Sequence, residues 1–176
     1  ERFAGDGASS LPALRLPACA PAAGTSVAIV GAGPAGLAAA YHLLRAGHAC
    51  TIFDEHAQLG GALRSAISPE RLPPDVLDTE LDLIIKLGGA FQPHTQLGRD
   101  VSLAQLTNDF NAVVLAMGAL ALERAASLGL ARTEHGISVD ALTGETSQPG
   151  VFACGGMTQP LQMAVRAVAA GGRVAH

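Results

Sequence analysis

The segment Val27–Ala40, VAIVGAGPAGLAAA, limits the possible folds more than any other part of the chain. It opens with an apolar run, which is typical of a short strand buried inside a parallel sheet. The chain then breaks into glycines and continues as an alanine-rich stretch that predicts a helix to about Arg45. A strand, a glycine turn and a helix in this order predict an α/β domain of the Rossmann type, in which helices flank a central parallel sheet.

The turn, Gly31–Gly36, has the spacing GxGxxG, and each glycine has a physical task. Gly31 makes the tight turn, Gly33 lets the backbone approach a pyrophosphate, and Gly36 lets the helix pack close to the strand. Pro34 suits the first helical turn, where its missing N–H costs nothing. The other N–H groups at this helix start, together with the positive end of the helix dipole, are then available to phosphates.

Asp54 completes the same unit. Gly47 stops the helix, Ala49–Phe53 predicts a second strand, and Asp54 follows that strand directly. An acidic residue about 20 positions after the glycines is where a ribose-binding carboxylate is expected. The combination predicts a dinucleotide site, although a βαβ unit that binds nothing has the same outline.

Composition excludes several other functions. The net charge of −4 gives no basic surface for nucleic acid or an anionic membrane. No stretch has the apolar length of a transmembrane helix. Cys19, Cys50 and Cys154 form neither a CxxC pair nor a ligand set for zinc or an iron–sulfur cluster. We therefore predict no metal site and a reducing, cytoplasmic location.

The domain division is predicted from the same composition. Residues 1–24 are rich in Pro, Ala, Ser and Gly and predict an extended lead-in on the surface of the domain. Residues 25–176 are expected to form a single domain. Packing of the lead-in on this domain is the preferred interpretation, and docking to a partner is the alternative.

The segment after Asp54 carries a second glycine pair, Gly60-Gly61, followed by Arg64. Such a pair permits close approach of a ligand, and Arg64 would then reach a pyrophosphate, but a simple surface turn has the same sequence. The prolines between Pro69 and Pro74 indicate an irregular segment of the kind that lines a ligand.

The rest of the chain gives the following predicted elements. They are a helix over Asp75–Leu87 capped by Asp75, an edge strand at Phe91–Thr95, a helix at Ser102–Asn108, a strand at Ala112–Ala116, a loosely helical Ala119–Gly136, strands at Ile137–Val139 and Val151–Cys154, and a helix over Leu161–Ala170 that ends at Gly171-Gly172.

Several motifs together carry a family resemblance. They are VAIVGAGPAGLAAAYHLLRAGHACTIFDEHAQLGG, RLPPDVLD, LGRDVSL, NAVVLAMGA and TSQPGVFACGG, from about Val27 to the C-terminus. In this order they resemble the flavoproteins with two dinucleotide domains of the pyridine nucleotide-disulfide oxidoreductase superfamily. The resemblance is greatest to the small subunit of glutamate synthase and the flavin region of dihydropyrimidine dehydrogenase. It implies a Rossmann-like FAD-binding domain.

The resemblance also implies which residues bind FAD. Those on the pyrophosphate are Gly31, Gly33, Pro34, Ala35 and Gly36, with Asp54, followed by Glu55, on the adenosine ribose and the Val101 backbone on the adenine. Those along the pyrophosphate and the ring are Gly61, Leu63, Arg64 and Arg71, followed by Met117 and Gly118. Those near the ribityl chain and the flavin ring are Gly155, Gly156, Gln162, Met163 and Ala164, where the helix after Pro160 would direct its N-terminus to the flavin. For Gln162 and Met163, ordinary helix packing is the alternative.

The chain departs from this family in two ways. Gly156 stands where relatives have an acidic residue that bonds the ribityl chain, a loss worth about 1–3 kcal/mol, and Met117 replaces a threonine. Relatives also insert an NAD(P)H-binding domain where too few residues separate Gly118 from Ile137 for a second βαβ unit. Residues 1–6 resemble the tail of the family's iron–sulfur segment, whose cysteines are not in this sequence.

These features predict an FAD-binding electron-transfer component of a multi-subunit iron–sulfur oxidoreductase, which relays electrons between redox centres on partner subunits. The alternatives are a non-catalytic assembly module with structural FAD or none, and a fragment of an NAD(P)H-dependent oxidoreductase. No catalytic side chain is predicted, because the six histidines are scattered and a flavin carrier leaves the chemistry to its cofactor. Cys154 is predicted to be a small buried residue, with a thiol touching the flavin ring as the alternative.

Overall fold

The computed structural model describes residues 16–118, 126–158 and 164–175. The strands are β1 (Ser26–Val30), β2 (Ala49–Phe53), β3 (Ala90–Gln92), β4 (Ala112–Leu115), β5 (Arg132–Thr133), β6 (Gly136–Ile137) and β7 (Val151–Ala153). The helices are α1 (Pro34–Arg45), α2 (Ala62–Ser65), α3 (Pro74–Lys86), α4 (Leu103–Asp109) and α5 (Ala164–Val174).

The central sheet has five parallel strands in the order β3-β2-β1-β4-β7, and β5 and β6 pair as a separate antiparallel hairpin. Side chains of β1 alternate between two cores. Ile29 packs on the side of α1 and α3, and Val30 packs on the side of α4. Full burial of a side chain such as Ile29 contributes about 1.5–3 kcal/mol. The predicted fold class, a parallel sheet flanked by helices, is confirmed.

Helices α1 and α5 pack closely through glycine. A Cβ atom added to Gly171 would lie 1.9 Å from the carbonyl oxygen of Ala35, so only glycine lets the two backbones approach this closely. The prediction that Gly171-Gly172 ends the last helix is therefore wrong, because α5 continues through both residues to Val174. Residues 161–163, where that helix was predicted to begin, lie outside the described part of the chain.

Three further predictions need correction. Asp75 does not cap α3, because the helix begins at Pro74 after Pro73, and Asp75 lies in its first turn. Proline is favoured at the first helical position because its missing N–H costs nothing there, as at Pro34.

The loosely helical pattern predicted over Ala119–Gly136 is wrong in the part of this range that the structure describes, residues 126–136. A 3₁₀ turn at Ala126–Leu128 is followed there by the β5–β6 hairpin. The strand predicted at Phe91–Thr95 is at the sheet edge but ends at Gln92, before Pro93.

The lead-in crosses the amino-terminal edge of the sheet. The N–H of Ala20 donates to the carbonyl of Arg45 at 2.8 Å, and that of Ala23 donates to Gly47 at 2.9 Å. The N–H of Ala49 in turn donates to Thr25 at 2.9 Å. Residues 20–25 are thus hydrogen-bonded to the α1–β2 turn. This is the edge of the sheet opposite the turn Gly31–Gly36, hereafter the glycine loop.

Candidate functional site

The glycine loop lies where the carboxyl ends of the parallel strands meet. The N–H of Gly31 donates to Phe53 at the end of β2 at 2.8 Å, and the N–H of Ala116 donates to Val30 at the end of β1 at 2.7 Å. Beyond β4, the N–H of Cys154 donates to Leu115 at 3.0 Å. The segments that follow β1, β2, β4 and β7 therefore share one edge, which is where ligands bind in open α/β sheets.

Two glycines of the loop are required by the packing of the chain itself. Gly31 has a φ of 109°, and a Cβ atom there would lie 2.5 Å from the carbonyl oxygen of Ala116. A Cβ atom on Gly36 would lie 2.0 Å from the carbonyl oxygen of Gly31. Distances under 3 Å of this kind are not tolerated by close-packed backbone. Gly31 and Gly36 thus perform the turn and packing tasks predicted from sequence.

Gly33 is different, because within the described residues neither its backbone angles nor its neighbours require glycine. Its φ of −81° and ψ of −178° are extended values open to any residue. A Cβ atom there would meet no described atom within 4 Å. The space over Gly33 is therefore open at the point where the sequence predicts a pyrophosphate.

Backbone donors surround this open space. Within the described residues, no acceptor is found for the N–H groups of Gly33, Ala35 and Gly36, and Pro34 has no N–H. These groups begin α1, a helix of 12 residues, so its positive dipole end is at the same place. A row of unpaired N–H groups at a helix start with open space beside it fits a phosphate.

The second glycine pair closes one side of the loop. The N–H of Gly60 donates to Ala32 at 2.8 Å, and a Cβ atom on Gly61 would lie 2.9 Å from the Cα of Gly33. Gly61 also has a φ of 49°, a left-handed value that favours glycine. The pair is therefore part of the site and not a separate surface turn.

Asp54 holds the glycine loop in place. Its Oδ2 accepts the N–H of Ala32 at 2.6 Å, and its Oδ1 accepts both the backbone N–H of His56 at 2.8 Å and His56 Nδ1 at 2.7 Å. The Asp54 side chain is 11% exposed, against 70% for His56. The next residue, Glu55, is exposed. The sequence placed Asp54 at the site but did not predict either partner, since a loop N–H carries no side-chain signal.

The opposite side is formed by the segments after β4 and β7. The N–H of Met117 donates to Sδ of the buried Met157 at 3.3 Å. Gly118 has a φ of 78°, and a Cβ there would meet nothing within 4 Å. A Cβ on Gly155 would lie 2.8 Å from the Cβ of Ala35, so the segment after β7 packs against the start of α1. Gly156 follows Gly155 in the same 3₁₀ turn.

The remaining predicted site residues are less directly connected to the loop. The Arg64 guanidinium donates to the carbonyl of Leu59 and pairs with Asp78 of α3. Leu63 packs against the core on the α1 side, and Arg71 is exposed in a turn after Ser68.

Val101 is predicted to meet the adenine through its backbone, and its carbonyl accepts the N–H of Gly98 at 2.8 Å within the turn that follows β3. Ala164 begins α5. Gln162 and Met163 lie outside the described residues, as does the predicted approach of that helix N-terminus.

A separate cavity of about 290 Å³ lies beside the outer edge of β7. Its lining includes Asp140, Cys154 and Val174. Hydrogen bonds from Thr143 and from the Leu142 N–H hold the pKa of Asp140 below its usual range, so this carboxylate stabilises its own turn. The glycine loop, an open groove, has the better set of ligand-binding groups.

Comparison with known proteins agrees with this geometry. Residues 29–96 match the family model described as an NAD(P)-binding Rossmann-like domain. Over 98 residues the chain is 47% identical to the glutamate synthase (NADPH) small chain of Mycobacterium tuberculosis, which covers 56% of this chain and 20% of that protein. It is 42% identical over 92 residues to a subunit of NAD-dependent dihydropyrimidine dehydrogenase from Salmonella typhimurium, covering 52% of this chain and 22% of that one.

Among solved structures, the GidA-related protein of Thermus thermophilus has the same fold, with a TM-score of 0.61 and 17% identity over 85% of this chain and 95% of that one. The resemblance stated from sequence is confirmed. The chain has a Rossmann-like fold, its residues 29–96 match an NAD(P)-binding Rossmann-like domain, and its relatives include oxidoreductase subunits. It spans about a fifth of the length of those two relatives.

Among the helices within residues 16–118, 126–158 and 164–175, none is long and apolar enough to cross a membrane. No group of three or more His, Cys, Asp or Glu side chains in those ranges is placed to hold a metal ion.

Proposed function

We propose that this chain binds FAD at the glycine loop and acts as the flavin-carrying part of a redox subunit. The observation that carries the proposal is Gly33. The fold does not require glycine at this position, yet the residue leaves open space next to unpaired N–H groups. A pyrophosphate in that space would accept those N–H groups and benefit from the dipole of α1.

We propose positions for the other parts of FAD along the same sheet edge. The adenosine ribose would meet Asp54, whose Oδ2 keeps one acceptor position beside the Ala32 N–H. The flavin end would extend along Met117, Gly118, Gly155 and Gly156. FAD, when bound, supplies the exchange of electron pairs for single electrons. The protein's contribution is to hold the cofactor and to leave its ring accessible.

Relatives that are subunits of larger oxidoreductases support a partner-dependent function. We therefore propose iron–sulfur and other redox subunits as the partners that deliver and remove electrons. An assembly module without redox activity shares the fold, and the alternative of an NAD(P)H-dependent fragment agrees with the family description at residues 29–96. The nature of the bound nucleotide distinguishes the NAD(P)H-dependent alternative from the flavin-carrying function, and the absence of bound FAD would favour the assembly module.

The test uses the full chain of 176 residues. We expect the purified protein to take up about one FAD per chain, in keeping with its one glycine loop, and NADH added alone to leave that flavin oxidised. Absorbance of the protein-bound flavin reports both results. Tight binding of NADH without FAD would contradict the proposal in favour of the nicotinamide alternative. Rapid bleaching of bound FAD by NADH alone would contradict the need for a partner.

A further inference from the structure

His56 binds the carboxylate that the proposed function assigns to the adenosine ribose. Both its backbone N–H and its Nδ1 reach Oδ1 of Asp54, at 2.8 and 2.7 Å. The ring is 70% exposed, so it can turn away from Asp54 without opening the core. The contact is not needed to hold the loop, because the Ala32 N–H is bound by the other oxygen, Oδ2.

The acceptor capacity of Asp54 sets up a competition. A carboxylate oxygen has about two lone-pair positions. On Oδ1 both are taken by His56, and on Oδ2 one is taken by Ala32. A ribose has two neighbouring hydroxyls, and only one of them finds a free position. The second hydroxyl can bind Asp54 only if the imidazole leaves.

We propose that His56 competes with the adenosine ribose for Oδ1 of Asp54, and so sets the nucleotide affinity of the glycine loop according to pH. This inference rests on the proposed function, because it requires a nucleotide ribose at Asp54. An imidazolium ring always carries a proton on Nδ1, and its charge strengthens the bond to the carboxylate. A neutral ring can carry its one proton on Nε2 and release Oδ1. The affinity therefore falls as the pH is lowered.

The neighbouring charged groups are Glu55, His94 and the Arg99–Asp100 pair. The N–H of His94 donates to the His56 carbonyl at 3.3 Å, and Arg99 pairs with Asp100 at 2.7 Å in the turn after β3. The pKa of Asp100 is lowered by Arg99, and that of Arg99 is raised by Asp100, so both stay charged around neutral pH. His94 is thus the other histidine beside His56, and the variants below leave it unchanged.

The test measures the dissociation constant of FAD by flavin fluorescence in the full chain, at about pH 5.5 and about pH 8, the range over which histidine changes charge. For the unaltered chain we expect binding about three- to fivefold weaker at the lower pH, because this change in affinity corresponds to the free energy of an exposed ion pair. His56→Gln should bind equally at both. The matched control, His135→Gln, removes another exposed histidine that pairs with a carboxylate, Glu134 at 3.3 Å, and should keep the pH dependence.

A second readout separates competition from a structural effect. In His56→Ala the imidazole no longer occupies Oδ1 of Asp54. Removal of the ribose 2′-hydroxyl should therefore lower the nucleotide affinity of this variant more than that of the unaltered chain. We expect the ratio of ADP to 2′-deoxy-ADP affinity at about pH 5.5 to rise about threefold relative to the unaltered chain, in line with the net contribution of one solvent-exposed hydrogen bond.

The outcomes distinguish this inference from the proposed function. Binding that is independent of pH in the unaltered chain, a pH dependence retained by His56→Gln, or an unchanged ADP ratio would overturn the role of His56 alone. Failure of the unaltered chain to bind FAD or ADP at any pH would overturn both.

Discussion

Helix α1 has a glycine at each end, and the two differ in what surrounds them. At its end, Gly47 has a φ of 90°, and a Cβ there would lie 2.1 Å from the carbonyl oxygen of Pro21. At its start, Gly33 has an ordinary φ of −81°, and a Cβ there would meet nothing. The chain fills the space beside Gly47 with its own lead-in, and it leaves the space beside Gly33 open. Gly47 is thus explained by folding, whereas Gly33 would be explained by the proposed cofactor.

Gly36 extends this comparison into the loop itself, and its replacement should have the largest effect on stability. In Gly36→Ala the new Cβ would lie 2.0 Å from the backbone of Gly31, which β4 prevents from moving. We expect a loss of about 3 kcal/mol in the free energy of unfolding, at the upper end for overpacking, measured by urea denaturation.

The matched control for Gly36 is Gly172→Ala, also within a helix. Its Cβ would lie 3.2 Å from the tip of the His42 ring, a side chain that can shift. Its stability should change by less than about 1 kcal/mol, because alanine also favours the helix. Equal stability losses in the two variants would show that the glycine loop is less rigid than its packing indicates.

Gly47→Ala should have a smaller effect. We expect a loss of about 2 kcal/mol, part of it from the positive φ and part from displacement of the lead-in at Pro21, with FAD binding unchanged. Gly88→Ala is the control, since Gly88 has a similar φ of 96° but an added Cβ would meet nothing. The difference between the two unfolding free energies isolates the contact with the lead-in. If Gly88→Ala were equally destabilised, the lead-in would contribute nothing at this edge.

Local signals in the sequence predicted the βαβ core well. The apolar run of β1, the glycine turn and Pro34 define one geometry together, and α1 ends at Arg45 as predicted. The Ser102 cap of α4 is equally local, since its side chain bonds Gln105 in a capping box. One prediction that failed, the end of the last helix, depends on distant residues. Gly171 resembles a helix end in sequence, and only the crossing of α5 over Ala35 shows that it is a packing position.

The residues of the candidate site also divide into those that local sequence predicts and those that depend on the folded structure. Glycine spacing predicted Gly31 and Gly36, because those tasks belong to one turn. The interactions of Asp54 with Ala32, and of Arg64 with Asp78, depend on how side chains turn after folding, which no spacing encodes. A signal for His56 did exist, since an Asp-x-His sequence places an imidazole within reach of the carboxylate two residues earlier.

The central claim is that the open space at Gly33 belongs to a cofactor, and Gly33→Val tests it most directly. Valine suits the extended backbone at this position, and its Cβ would meet none of the described atoms within 4 Å. The variant should therefore unfold within about 1 kcal/mol of the unaltered protein, as expected for a substitution without a clash. Its bound FAD should fall at least about tenfold, because the branched side chain occupies the pyrophosphate position, and Gly33→Ala should give an intermediate loss. A folded Gly33→Val protein with undiminished FAD would contradict the claim.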